Sequence, residues 1–133
     1  RRVLFRSGAH AVVAGAGRTI LRSDDHGLTW RSIDLGREAE LYDAWVTGAG
    51  ETMAVGADGL LVRVSAADTI AESTIATGTL RTIHINARGV GLAAGDDGVV
   101  MHTADGGETW TQLPLGIDRD IFAVDEVAGD GHL

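Results

Sequence analysis

The chain contains no cysteine, so disulfide frameworks, thiolate metal sites and cysteine nucleophiles are excluded together. It also lacks lysine: all 11 basic residues are arginine, set against 19 aspartates and glutamates, for a net charge of -8. A polyanion is repelled by that balance unless a local basic patch offsets it; none is visible, so no nucleic-acid partner is expected. Apolar runs last only a few residues, too few to span a bilayer, so membrane insertion is not expected either. No stretch of ten residues or more carries a convincing helical period. Arg37 to Trp45 comes nearest, but Gly36 and its place in the pattern below make it a loop leading into a strand.

What is present is self-similarity. Ala11-Val12-Val13-Ala14-Gly15 recurs as Thr52-Met53-Ala54-Val55-Gly56 and as Gly91-Leu92-Ala93-Ala94-Gly95, so the three closing glycines are 41 and 39 residues apart. Gly36, Gly78 and Gly116 follow at spacings of 42 and 38, and Trp30 and Trp110 stand 80 residues apart, two periods. Within a unit, short strands such as Val3–Phe5, His10–Ala14, Thr19–Arg22 and Trp30–Ile33 are separated by Gly and Asp turn signals. About forty residues and four strands per unit describe a β-propeller blade. The fold class is all-β: residues 1–133 form a single partial propeller with blade 1 at 3–36, blade 2 at 41–78, blade 3 at 80–116 and the start of blade 4 at 121–133. Propellers close at about four to eight blades, so the ring is incomplete within one chain. Either the sequence is an internal piece, which its abrupt ends favour, or a homo-oligomer completes the circle.

Two segments carry the sharpest motif: Ser23-Asp24-Asp25-His26-Gly27-Leu28-Thr29-Trp30 and Thr103-Ala104-Asp105-Gly106-Gly107-Glu108-Thr109-Trp110. Both read S/T-x-D-x-G-x-T-W. Asp25 or Asp105 can accept backbone N–H groups across a hairpin turn, Gly27 or Gly107 supplies a positive φ, and the hydroxyls of Ser23, Thr29, Thr103 and Thr109 help to close the loop. Trp30 and Trp110 begin the next strand, where each is expected to bury its ring between strands while the indole N–H finds a carbonyl. The middle unit departs from this: Val64 to Ile70 lacks the glycine and the tryptophan, and loss of the Ser65 hydroxyl there is expected to be nearly silent.

On these residues the chain resembles the Asp-box, or BNR, repeat propellers, whose members include sialidases, sortilin-type receptors and photosystem II assembly factors of the Ycf48 and HCF136 type. The last group is the nearest in style, because Gly95-Asp96-Asp97-Gly98 and an apolar strand run straight into Thr103 to Trp110. The resemblance implies a blade and not a reaction.

A sialidase-like enzyme would need an Arg-Ile-Pro segment, an arginine cluster and a tyrosine nucleophile. The only proline is Pro114 and the only tyrosine Tyr42, which is assigned to packing. Ser23, Asp25 and His26 share one turn and cannot converge as a triad, and no Gly-x-Ser-x-Gly elbow exists. His10, His26, His84, His102 and His132 lack ligand spacing, and Gly15-Ala16-Gly17 fails as a dinucleotide fingerprint. No catalytic residue, cofactor or metal is therefore expected.

The reading is a non-enzymatic, protein-binding or assembly-factor-like scaffold, whose candidate partner surface comprises Arg37, Tyr42, Trp45, Arg81 and Arg119. The alternative is part of a carbohydrate-active or sugar-binding propeller, for which Trp45, the one tryptophan outside a motif, would be the platform. The absence of cysteine leaves the compartment open; the family resemblance leans extracytoplasmic.

Overall fold

A computed structural model describes residues 2–124, with backbone alone for residues 2–7. Ten strands follow in order: β1 (Arg2–Ser7), β2 (His10–Ser23), β3 (Arg31–Val46), β4 (Thr52–Gly56), β5 (Leu60–Val64), β6 (Ile70–Thr74), β7 (Leu80–Ile85), β8 (Gly91–Gly95), β9 (Val100–Thr103) and β10 (Thr111–Gln112). They form a six-stranded antiparallel sheet, β1 to β6 in sequence order, and a four-stranded one, β10-β9-β8-β7. The chain is all-β and built of incomplete propeller blades.

The six-stranded sheet holds two blades because two of its strands are continuous through a corner. Drawn straight, the 14 residues of β2 would span roughly 45 Å. Yet His10 Nδ1 lies 2.7 Å from Asp24 Oδ1, and the His26 N–H donates to Ala9 O at 2.9 Å. The strand must therefore double back, and Gly17, at φ 132°, stands at the corner. Similarly, β3 begins beside β2 through Arg31–Asp34, passes Gly36 at φ 78°, and ends beside β4 through Leu41–Val46.

In blades 2 and 3 the corresponding corner is a tight turn in which two successive residues have positive φ: Asp58 and Gly59 (58° and 78°), Asp97 and Gly98 (61° and 74°). Glycine is compulsory at the second place, since a Cβ on Gly59 or Gly98 would sit 1.9 Å from Ala76 O or 2.0 Å from Ile117 O. Blade 1 has Arg18 there, and its corner is made by Gly17 instead.

Packing explains why the sequence alternates so poorly. All five residues of β4 are buried: Ala54 joins a cluster with Val12, Ile20, Ile33 and Val62, while Met53 and Val55 join a second cluster with Leu61, Leu80, Ile83, Ala93 and Met101. The second strand of the middle blade is thus covered on both faces, and both faces must be apolar.

Between Ile121 and Val124, where the sequence reads as the first strand of a fourth blade, no strand forms. A strand needs a ladder, and the backbone bond found is Ile121 N–H to Gly95 O at 2.9 Å. These residues nevertheless repeat earlier placements. Val124 N–H donates to Thr82 Oγ1 at 3.3 Å as Ile83 N–H donates to Asp43 Oδ2 at 2.9 Å. Asp97 N–H meets Asp120 Oδ1 as Asp58 N–H meets Thr79 Oγ1. Residues 125–133 lie outside the described part.

Candidate functional site

The polar chemistry gathers in three places: the turns that end each blade's third strand, a clasp between blades 1 and 2, and the first-strand positions near the blade corners. In the turn Ser23–Trp30, Asp25 Oδ1 accepts Thr29 N–H at 2.9 Å and the Ser23 hydroxyl at 2.8 Å, and its other oxygen accepts the Thr29 hydroxyl. Ser23 Oγ accepts Gly27 N–H at 2.9 Å, and Trp30 Nε1 donates to Gly27 O at 2.9 Å. Thr103, Asp105, Gly107, Thr109 and Trp110 repeat every one of these bonds. The Thr29 and Thr109 hydroxyls, then their N–H groups, hold the Asp25 and Asp105 carboxyls down at about 2. With its donors and acceptors closed on one another, neither turn offers a nucleophile and base aimed at a substrate.

The two tryptophans differ, which corrects the expectation that both are buried. Trp110 is partly buried against the second apolar cluster, whereas Trp30 is 38% exposed and its neighbour Leu28 is 82% exposed. The turn of blade 3 leans on blade 2, as the contact of Gly107 with Met53 shows. The turn of blade 1 has no preceding blade among the described residues.

In the middle unit a shorter turn replaces the motif. Ser65 Oγ accepts Ala67 N–H at 3.2 Å and Thr69 N–H at 3.0 Å, and Asp68, at φ 68°, takes the left-handed place held by His26 (φ 64°) in blade 1 and Gly106 (φ 75°) in blade 3. Ser65 is therefore a closing residue of its turn, not the bystander the sequence suggested.

The clasp was not legible as a site. Arg22, 2% exposed, leaves blade 1 to donate to Ser65 O at 2.6 Å and Asp68 Oδ1 at 3.3 Å, with its other Nη on Gly50 O. Burial lowers its pKa, and the adjacent Arg31 adds to the effect. Arg31 grips Asp68 in a fork at 2.8 and 2.9 Å and reaches Asp24 at 2.6 Å. Arg31 is raised by Asp68 and then Asp24; Asp24 is lowered by His10 and then Arg31. One signal was available: Arg22 and Arg63 both stand seven residues after their unit's glycine, and Arg63 likewise reaches the next turn, at Glu108 (3.1 Å).

Tyr42 and Arg81 come together; they hold equivalent first-strand positions, each one residue after the strand's opening leucine partner of Gly56 or Gly95. The Arg81 guanidinium lies 4.8 Å from the centre of the Tyr42 ring and 5.8 Å from that of Phe122, and forks onto Asp96 at 2.8 and 3.3 Å. Tyr42 donates to Glu40 at 2.9 Å, which raises its pKa, and Arg81 is raised by Asp96. Arg37 is elsewhere: it pairs with Glu72 at 3.0 Å and borders a cleft of about 450 Å³ with Glu38, Glu40 and Asp58. Arg119 is exposed after β10. Arg37 and Arg81 therefore hold different partners. Trp45 packs its ring on His84, centroids 4.3 Å apart and tilted by 54°.

No three His, Asp or Glu side chains gather as a metal site among the described residues, and no helix there is long and apolar enough to cross a membrane. No known family model matches the chain, and no curated protein matches it. Among solved structures it is similar to one described as YCF48 bound to D1 peptide: TM-score 0.69 and 18% identity over 86% of this chain. The chain spans 40% of the length of that structure. The likeness shows a propeller fold.

Proposed function

We propose that this chain is part of an Asp-box propeller that works as a non-enzymatic, protein-binding scaffold, in the manner of the assembly factors it resembles. One observation carries the reading: a propeller of similar fold, at TM-score 0.69, is described as bound to a peptide. The state of the polar groups supports it, since Ser23, Asp25, Thr103 and Asp105, the residue types suited to catalysis, are engaged in closing turns. Pairing with peptide backbone at blade edges and loops needs none of them.

The test is selection of displayed random peptides on the immobilised 133-residue chain, with a glycan array beside it. Enrichment of a peptide motif that binds the chain again as a synthetic peptide is the expected result. Glycan binding without peptide enrichment would move the chain to the sugar-binding alternative.

A further inference from the structure

The outer strand of blade 2, β6 (Ile70–Thr74), ends the six-stranded sheet and pairs with β5 on one side only. Which of its backbone groups face outward follows from the ladder. Ser65 N–H donates to Thr69 O and Ile75 N–H to Gly59 O, both at 2.9 Å, at the two ends of the β5–β6 pairing. Bonded pairs alternate along an antiparallel ladder, so Ala71 and Ser73 bond to Arg63 and Leu61, while Ile70, Glu72 and Thr74 turn N–H and C=O away from the sheet. Those outward groups have no backbone partner among the described residues, and the strand is exposed from Ala71 to Thr74.

Natural sheets guard such edges with proline, charge, bulges or shortness. Blade 1 carries Arg31 and Asp34 on its outer strand, paired with Asp68 and Arg18, and the outer strand of blade 3 is two residues long with Pro114 close behind. Strand β6 has none of these guards: no register shift, no proline, and a single charge, Glu72, already held by Arg37 at 3.0 Å. A row of outward amides and carbonyls is complementary to another extended backbone. The neighbouring side chains set the chemistry of that backbone. Thr74, opposite Leu60 in the ladder, lies on the face turned to blade 1 and lines the cleft of about 450 Å³ that holds Glu38, Glu40 and Asp58. Arg37, the cation of that cleft, is taken by Glu72, so the cleft keeps an excess of negative charge in a molecule whose net charge is already -8. A basic partner is drawn there and an acidic one repelled. A second copy is the poorer occupant, because antiparallel self-pairing centred on β6 sets Glu72 against its own counterpart.

We infer that β6 accepts an extended segment of a protein partner as an added antiparallel strand, with uncharged side chains beside Ile70 to Glu72 and a basic side chain opposite Thr74 that reaches the carboxylates of the cleft. The inference rests on the protein-binding reading above and gives it a location. The two remain separable by experiment.

The probe is a capped hexapeptide, one arginine followed by alternating valine and threonine, titrated to millimolar concentration into the isotope-labelled 133-residue chain and followed by amide NMR. Hydrogen exchange at the Ile70, Glu72 and Thr74 amides should slow saturably, while Ala71 and Ser73, already bonded to β5, stay unchanged. Glutamate in place of the probe's arginine should weaken binding by about fivefold. Glu72→Pro removes an outward N–H without breaking a bond to β5 and should weaken the probe by about tenfold, whereas Glu72→Gln, which keeps that N–H and loses only the Arg37 pair, should leave it unchanged. A probe that leaves the three amides untouched, binds Glu72→Pro at full strength, or binds better with glutamate overturns the assignment. Protection of the same amides that rises with protein concentration and needs no probe would give the edge to a second copy instead. If peptides selected on the chain bind Glu72→Pro at full strength, the scaffold reading stands and the edge falls. If the hexapeptide protects the three amides while no peptide is ever selected, the edge stands and the scaffold reading falls.

Discussion

The turns Ser23–Trp30 and Thr103–Trp110 close with the same hydrogen bonds and sit in different surroundings. In the first, Leu28 and Trp30 face solvent; in the second, Gly107 is pressed on Met53, Glu108 meets Arg63, and Trp110 joins an apolar cluster. The motif therefore encodes a local turn and not the burial that follows it. Burial comes from the blade on which the turn leans, and the same eight letters are worth more where that blade is present.

The sharpest way to break this comparison is at the paired glycines. Both need positive φ, 85° at Gly27 and 92° at Gly107, so an alanine is strained at either. At Gly107 the new Cβ would also lie 2.5 Å from Met53 Sδ. Gly107→Ala should cost about 3 kcal/mol or more, Gly27→Ala about 1–2 kcal/mol, read as midpoint shifts in urea unfolding at constant m. Equal costs would mean that the blade 2 contact contributes nothing.

The tryptophans sharpen it further. Trp110→Ala should cost about 2–3 kcal/mol, below the roughly 3–5 of a fully enclosed ring, and Trp30→Ala about 1 kcal/mol. A larger loss at Trp30 would show that solvent exposure in blade 1 misrepresents its packing. Ser65→Ala tests the turn without the motif: two N–H groups lose their acceptor, and about 0.5–1 kcal/mol should go with it in the same unfolding assay.

How much of this was legible follows the same division. Glycine spacing gave the blade period, and S/T-x-D-x-G-x-T-W gave the bonds of both turns, because these are properties of eight consecutive residues. The exposure of Trp30, the burial of Arg22 and the placing of Arg81 by the Tyr42 and Phe122 rings depend on residues forty or more positions away or in a neighbouring blade, and no local pattern marks them. The ladder registers place Arg81 at the position that Tyr42 holds in blade 2, a correspondence visible only once the strands are paired. Ile121 to Val124 has the composition of a strand, but composition supplies no partner.

The smallest difference should appear in acid. Asp25 and Asp105 are both held at about 2, by hydroxyl and N–H donors that belong to the turn itself and not to the neighbouring blade. An ordinary unfolded aspartate titrates near 3.9, so between about pH 4 and pH 2 the unfolded chain takes up protons that these folded carboxylates refuse. Each therefore contributes stability that is complete above pH 4 and is lost as the pH falls through 2. Asp25→Asn and Asp105→Asn should each flatten the fall in unfolding free energy over that window, and by the same amount, although only the second turn leans on a preceding blade among the described residues. Matched slopes would locate the carboxylate's role inside the eight-residue turn, whereas a steeper change at Asp105 would show that blade packing reaches into the turn's own hydrogen bonds.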